Sequence, residues 1–197
     1  MIKLIIILGI LVILTLCYLI CSQFKFQGNK RNTGDIPDVQ IMTEKGVDIP
    51  ELGSPGAAGF DLKIKTFIGY YIKEEDFMSV LSKTTTSTTL GPGERILIST
   101  GLRMKIPHGY ELQIRSRSGL TLKKGLVVMN SPGTIDSDYL GDIGIIILNA
   151  SKKPQVLSVG DKICQGVFSK IEIPVFEEVL KFEKTKRGKN GFGSTGV

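Results

Sequence analysis

The sequence predicts an all-β domain, a sandwich or barrel of many short strands, carried behind an N-terminal apolar segment. Three observations support this. Tyr110 to Arg115 alternates apolar with polar at period two, and Ile163, Gln165 and Val167 suggest another strand. Turn signals recur at short spacing: Gly91-Pro92-Gly93, Pro107-His108-Gly109, Ser131-Pro132-Gly133 and Val159-Gly160-Asp161. Only Lys73 to Ser82 has the composition of a short helix, and short strands between frequent turns build sandwiches or barrels.

At the N-terminus, Leu4 to Cys21 is apolar except for Gly9, Thr15 and Tyr18, and it carries no charge. A helix of about 18–20 such residues crosses a hydrocarbon core roughly 30 Å thick, so residues 1–24 are expected to form a single-pass transmembrane helix. A cleaved signal peptide would need a small-residue site after the run, where Cys21-Ser22-Gln23-Phe24 stands instead. A lipoprotein signal ending at Cys21 would have a small residue where Ile20 stands. Lys3 precedes the run, and Lys25, Lys30 and Arg31 follow it. This excess of cations places the C-terminal domain in the cytosol by the positive-inside rule.

Residues 25–38 are polar and broken by Gly28, Gly34 and Pro37, as expected for a tether. The β domain is expected over residues 39–186. Within it Glu94–Ser99 and Lys170–Val175 look extended, and Ile143–Leu148 reads as a strand buried on both faces. The threonine-rich stretch inside Lys83–Leu90 reads as a solvated loop. Residues 187–197 hold four glycines and one aromatic, Phe192, which is the composition of a disordered tail.

Composition narrows the chemistry. A net charge of +6 suits an anionic ligand, but no basic run interleaved with aromatics marks a nucleic-acid surface, so no direct nucleic-acid partner is expected. Of three cysteines only Cys164 lies in the domain, which excludes a disulfide framework there. The chain has no GxxxxGK[ST] loop, no HExxH and no paired CxxC, and His108 is its single histidine. Chemistry must come from carboxylates, arginines, hydroxyls and backbone.

Those groups cluster in order along the chain. Ala57-Ala58-Gly59-Phe60-Asp61-Leu62 sets one acid after small residues. Arg115-Ser116-Arg117-Ser118-Gly119-Leu120 offers cations, hydroxyls and backbone amides. Ser131-Pro132-Gly133-Thr134-Ile135-Asp136-Ser137-Asp138-Tyr139-Leu140-Gly141-Asp142 puts acids and a phenol beside a turn. Gly160-Asp161-Lys162-Ile163-Cys164-Gln165 is a turn into a strand, and Arg187-Gly188-Lys189-Asn190-Gly191-Phe192-Gly193-Ser194-Thr195-Gly196 closes the chain. At all five segments the sequence resembles the trimeric dUTPase (deoxyuridine 5′-triphosphate nucleotidohydrolase) family, and the resemblance covers residues 39–197.

The resemblance implies a jelly-roll-like β subunit, a homotrimer, and a dUTP diphosphatase that releases dUMP and pyrophosphate, lowering dUTP and supplying dUMP for dTTP synthesis. It assigns Asp136 as general base for a water attacking the α-phosphorus. Tyr139 would pack on the deoxyribose and leave no room for a 2′-hydroxyl. The hairpin from Leu126 to Tyr139, with Asn130, Gly133, Thr134 and Ile135, would read uracil. Arg117, Ser118, Gly119 and Gln165 would bind phosphates, joined by Arg187 and Ser194 from the tail. Phe192, next to Gly193, would stack on uracil as residues 187–197 close over another chain's site. Mg²⁺ would ride on the triphosphate, with Asp61 contacting it through water.

The sequence departs from the family in a longer connection over residues 67–90, in Cys164 where alanine is common, and in Arg115-Ser116 before the Arg-Ser-Gly core. Two other functions would fit parts of this pattern. A dCTP-deaminase-type relative shares the fold, but the set of Asp136, Tyr139 and Phe192 argues against it. A membrane-tethered dUTP-binding or regulatory module would have lost Asp136 or the tail, and both are present.

Overall fold

The computed structural model describes residues 38–71 and 84–189. Its strands are β1 (Gln40–Thr43), β2 (Phe60–Lys63), β3 (Thr66–Tyr71), β4 (Ser87–Leu90), β5 (Arg95–Ser99), β6 (Leu102–Lys105), β7 (Tyr110–Ser116), β8 (Leu126–Val128), β9 (Gly133–Ile135), β10 (Gly144–Asn149), β11 (Gln155–Ser158) and β12 (Lys162–Lys170). The one helix among the described residues, α1, spans Ser118–Lys124. All strand pairings are antiparallel. There are two four-stranded sheets, in the orders β3-β5-β10-β8 and β2-β12-β7-β9, and two two-stranded sheets, β1-β6 and β11-β4.

The period-two patterns place the core. Leu112 and Ile114 of β7, Ile163 and Cys164 of β12, Ile96 and Ile98 of β5, and Ile145 and Ile147 of β10 are buried in a single apolar cluster. At about 1.5–3 kcal/mol per buried large side chain, this cluster is the main favourable term in folding. One close approach sets local packing. A Cβ on Gly166 would lie 2.8 Å from the Phe60 ring, so β12 carries glycine there and Phe60 crosses it to reach Phe168 (ring centroids 5.9 Å apart).

Polar groups organise the loops. Asn149 is wholly buried. Its Nδ2 donates to the carbonyls of Leu90 (2.9 Å) and Lys153 (2.8 Å), and its Oδ1 accepts from the Ser151 amide (3.0 Å) and hydroxyl (2.7 Å). This one side chain ties the end of β10 to the end of β4.

The fold expectation is corrected on its membrane element. Among the described residues no helix is long and apolar enough to cross a membrane, and residues 1–24, read as a transmembrane helix, lie outside them, as does the tether to residue 37. What the structure describes is an all-β fold without a transmembrane helix.

Smaller differences have local causes. The threonine stretch is not all loop: Ser87–Leu90 pairs with β11, because β-branched threonines suit an extended edge strand. Strand β10 alternates buried with half-buried residues rather than being buried on both faces. Among the described residues beyond Lys170 there is no strand, and residues 172–186 run as an exposed arm. The expected helix at Lys73–Ser82 and the middle of the 67–90 connection lie outside the described residues.

Candidate active site

Strand register brings three of the sequence clusters together. Gln165 of β12 pairs with Asp61 of β2 on one side and Arg115 of β7 on the other. At this end of the sheet Asp61 is gripped by two cations. Arg117 Nε lies 2.9 Å from its Oδ1 and Lys162 Nζ 3.0 Å from its Oδ2. Arg117 also donates from Nη1 to the Lys162 carbonyl (2.7 Å), so the guanidinium bridges two strands and keeps donors over for an anion. Gln165 Nε2 donates to the Ser116 carbonyl (3.1 Å), and Ser116 Oγ accepts from the Val128 amide (2.9 Å).

Ser118 and Gly119 open helix α1 and are exposed. The first amides of a helix lack intrahelical partners and point outward. A cavity of about 400 Å³ beside them is lined by Lys63, Arg117, Lys124 and Lys162, with Asp161 as the one acid. This is a setting for an anion. A second, open cavity of about 790 Å³ runs past Asp61 and Lys162 toward Asp48 and Glu51. Beneath the clamp, burial pushes the Cys164 thiol up from 9.0 to about 12, with the Asp61 charge adding to the rise and Arg117 opposing it.

The third cluster lies elsewhere. Segments β8 and β9 do not pair as a hairpin: β8 joins β10 and β9 joins β7. The turn between them, which contains a cis Ser131-Pro132 peptide, carries the chain from one sheet to the other. Gly133 is buried there, where a Cβ would meet Asn130 Nδ2 at 3.1 Å. Strand β9 ends at Ile135, and residues 136–139 form a turn in which the Tyr139 amide donates to the Asp136 carbonyl (3.2 Å). Asp136 and Asp138 are both exposed. Tyr139 Oη donates to the Asp142 carbonyl (2.8 Å), while the buried Oδ1 of Asp142 finds no partner among the described residues.

Register also sets a separation. Ile135 pairs with Leu112, so Asp136 sits near the level of Glu111, whereas Asp61 sits at the level of Arg115, three strands away. At about 3.4 Å per residue and about 4.8 Å per strand, the Cα positions of the two residues are about 20 Å apart in one chain. Arg187, just past the exposed arm, is itself exposed, and Phe192, Gly193 and Ser194 lie outside the described residues. Lys162 lies in the Gly160–Gln165 segment, but its pattern in sequence carries no sign of a partner at Asp61. The missed contact spans some hundred residues of sequence, and local pattern could not have shown it.

A sequence model of dUTPase matches residues 81–196. The deoxyuridine 5′-triphosphate nucleotidohydrolase of Fusobacterium nucleatum is 40% identical over 158 residues, which is 80% of this chain and 96% of that one. The chain belongs to the dUTPase family. The enzyme of the same name from Wolinella succinogenes is 43% identical over 148 residues, 75% of this chain and 86% of that one. Among solved structures, the dUTPase of Staphylococcus bacteriophage 80alpha with dUPNHPP is 27% identical, with a TM-score of 0.61 over 81% of this chain and 99% of that one. The phage phi11 dUTPase, described with a structural Mg(II) ion, is 24% identical with a TM-score of 0.59 over 75% of this chain and speaks to the dUTPase fold alone.

Proposed function

We infer that this chain cleaves dUTP to dUMP and pyrophosphate at a site assembled from more than one copy of itself, most simply a homotrimer. Membership of the dUTPase family supports the reaction. The observation that carries the shared site is the separation of Asp136 from the Asp61–Arg117–Lys162 cluster by about 20 Å within one chain. A nucleotide whose phosphates rest on the basic cluster of one copy would present its α-phosphorus to Asp136 of another. The exposed arm supports assembly as well. Phe176 and Phe182 are 91% and 89% exposed, and Val175 and Leu180 are no better covered. Covering four such side chains stabilises by roughly 6–12 kcal/mol, and a neighbouring copy is the natural cover.

Each group then has a task. Asp136 accepts a proton from the water as its oxygen bonds to the α-phosphorus, and the bond to the bridging oxygen of the β-phosphate breaks, releasing pyrophosphate. Arg117, with the outward amides of Ser118 and Gly119, binds phosphate oxygens. Gln165 holds the carbonyl of Ser116 and so fixes the approach to that helix. Backbone groups around Asn130, Gly133, Thr134 and Ile135 meet the uracil edge, where cytosine would leave buried donors and acceptors unpaired at about 1–3 kcal/mol each. Tyr139 packs on the sugar and excludes a 2′-hydroxyl. Arg187 and Ser194 close on the outer phosphates, and Phe192 stacks on the base.

Mg²⁺ fits as an ion brought by the nucleotide. Among the described residues no group of three acids, cysteines or histidines could cage a metal, but Asp61 offers a carboxylate beside the basic cavity. Mg²⁺ keeps several waters and takes phosphate oxygens readily, so one such rim ligand suffices. When bound, it neutralises phosphate charge.

The test is pyrophosphate release from dUTP by the full chain, with dCTP, dTTP and UTP as controls. Turnover of dUTP alone is expected. Ammonia release from dCTP, or tight dUTP binding without turnover, would replace this reading.

A further inference from the structure

We propose that Gly141 is a positioning residue for sugar selection, because its missing side chain is what lets the Tyr139 ring take its place. A Cβ built on Gly141 would lie 2.5 Å from Tyr139 Oη, 2.6 Å from Cζ and 3.0 Å from Cε2, inside any tolerable carbon contact. Gly109 and Gly119, by contrast, have nothing within 4 Å. The Gly141 backbone is not in the left-handed region, so its conformation does not call for glycine. The ring does.

What a side chain at residue 141 would displace decides the consequence. The colliding atoms belong to the far end of a side chain that is 45% exposed, not to backbone or core. The ring can swing out, so the fold tolerates alanine. Swinging out breaks the bond from Tyr139 Oη to the Asp142 carbonyl, which is the tether that fixes the ring tip. Gly141 and the Asp142 carbonyl thus act together, one giving room and the other a latch. A displaced ring no longer fills the space beside C2′, and a ribonucleotide is then rejected less well. This inference rests on the reading of Tyr139 as the residue that packs on the sugar.

The experiment compares the wild-type full chain with Gly141→Ala, Tyr139→Ala and the double variant, measuring kcat/KM for dUTP and UTP together with thermal unfolding. Gly141→Ala should unfold within a few degrees of wild type, while its dUTP-to-UTP ratio falls at least about tenfold, as expected when a fitted contact at the selecting group is lost. In the Tyr139→Ala background the same change should add almost nothing, because the ring it acts through is gone. An unchanged ratio in Gly141→Ala beside a lowered one in Tyr139→Ala overturns the inference alone, as would fully additive losses or a Gly141→Ala chain that fails to fold. An unchanged ratio in Tyr139→Ala overturns the sugar reading itself, and the claim for Gly141 with it.

Discussion

Arg117 Nε meets Asp61 Oδ1 at 2.9 Å, joining the residue between β7 and α1 to a β2 residue 56 positions earlier. Lys162 closes the same carboxylate from its other oxygen at 3.0 Å. These side chains are about a third or more exposed, so the pairs contribute little to stability, on the order of 1 kcal/mol or less. Their value lies in aiming charge at the basic cavity.

Arg117→Lys should therefore melt close to wild type yet lose roughly 10²-fold in kcat/KM for dUTP, the scale seen when one preorganised donor is removed. A single ammonium cannot hold both Asp61 and the Lys162 carbonyl while facing an anion. Lys162→Met, which spares the Arg117 bridge, should lose less. Full activity in Arg117→Lys would show that point charge alone is enough.

Asn149 governs stability instead. Alanine there takes the Nδ2 donor from the Leu90 carbonyl and the Oδ1 acceptor from the Ser151 amide, while the Lys153 carbonyl keeps the Ser151 hydroxyl (2.9 Å), and each stranded buried group costs about 1–3 kcal/mol. Asn149→Ala should destabilise by roughly 2–4 kcal/mol in chemical denaturation, with kcat of the folded fraction unchanged. A melt indistinguishable from wild type would mean that water replaces the network.

Local pattern revealed the parts of the fold that local pattern controls. Alternation marked β7 because its inward residues, Leu112 and Ile114, are core, whereas in β12 a register shift between Lys162 and Cys164 puts the neighbours Ile163 and Cys164 both in the core. Helix α1 gave no sign of itself. It buries no residue, has no acid in its first turn, no side-chain N-cap and contains Gly119, so neither periodicity nor an N-terminal cap announced it. The threonines of β4 carry little apolar signal, and their strand exists because β11 is there to pair with it. The clamp on Asp61, the Asn149 hub and the Gly141–Tyr139 contact depend on register and close packing between distant segments. The clusters were legible as five segments in order, and their distribution between two ends of one sheet was not.

Cys164 makes a pH prediction. Its thiol titrates at about 12 in the folded chain against 9.0 unfolded, chiefly through burial. The neutral form is favoured by folding, so this contribution is fully present below pH 9. It is lost as pH rises from 9 toward 12, where the unfolded thiol ionises first. Wild type should lose stability more steeply than Cys164→Ala across that window. Parallel curves in alkaline denaturation would refute it. The native chain should also leave Cys164 unalkylated at pH 8, as read by mass spectrometry of its peptide.

The tail is expected to act on another copy's site. Deleting residues 187–197 should leave the β domain folded, since Phe192 and Val197 are the only large apolar residues in that segment, but cut dUTP turnover by orders of magnitude. Mixing that deletion with an Asp136→Asn chain should restore activity, because each supplies what the other lacks. No recovery, under conditions where labelled subunits demonstrably exchange, would mean that each site is built from one chain.

Asp136 carries the most direct test. Asparagine is nearly isosteric, and the turn it begins is held by its carbonyl accepting from the Tyr139 amide, which the substitution keeps. What is lost is the carboxylate proposed to take a proton from the attacking water. General-base assistance is typically worth about 10²–10⁴-fold, so Asp136→Asn should lose at least about 10² in kcat. Affinity for a non-hydrolysable dUTP analogue should hold or tighten, because a negative charge near the α-phosphate is gone. Asp138 is the control. A continuing strand would have turned the two side chains to opposite faces, but residues 136–139 form a turn, and both acids are exposed. Asp138→Asn thus matches the first variant in charge and burial and differs only in position. It should retain most of the turnover. Normal turnover in Asp136→Asn, or a dead Asp138→Asn beside it, would move the base to another residue.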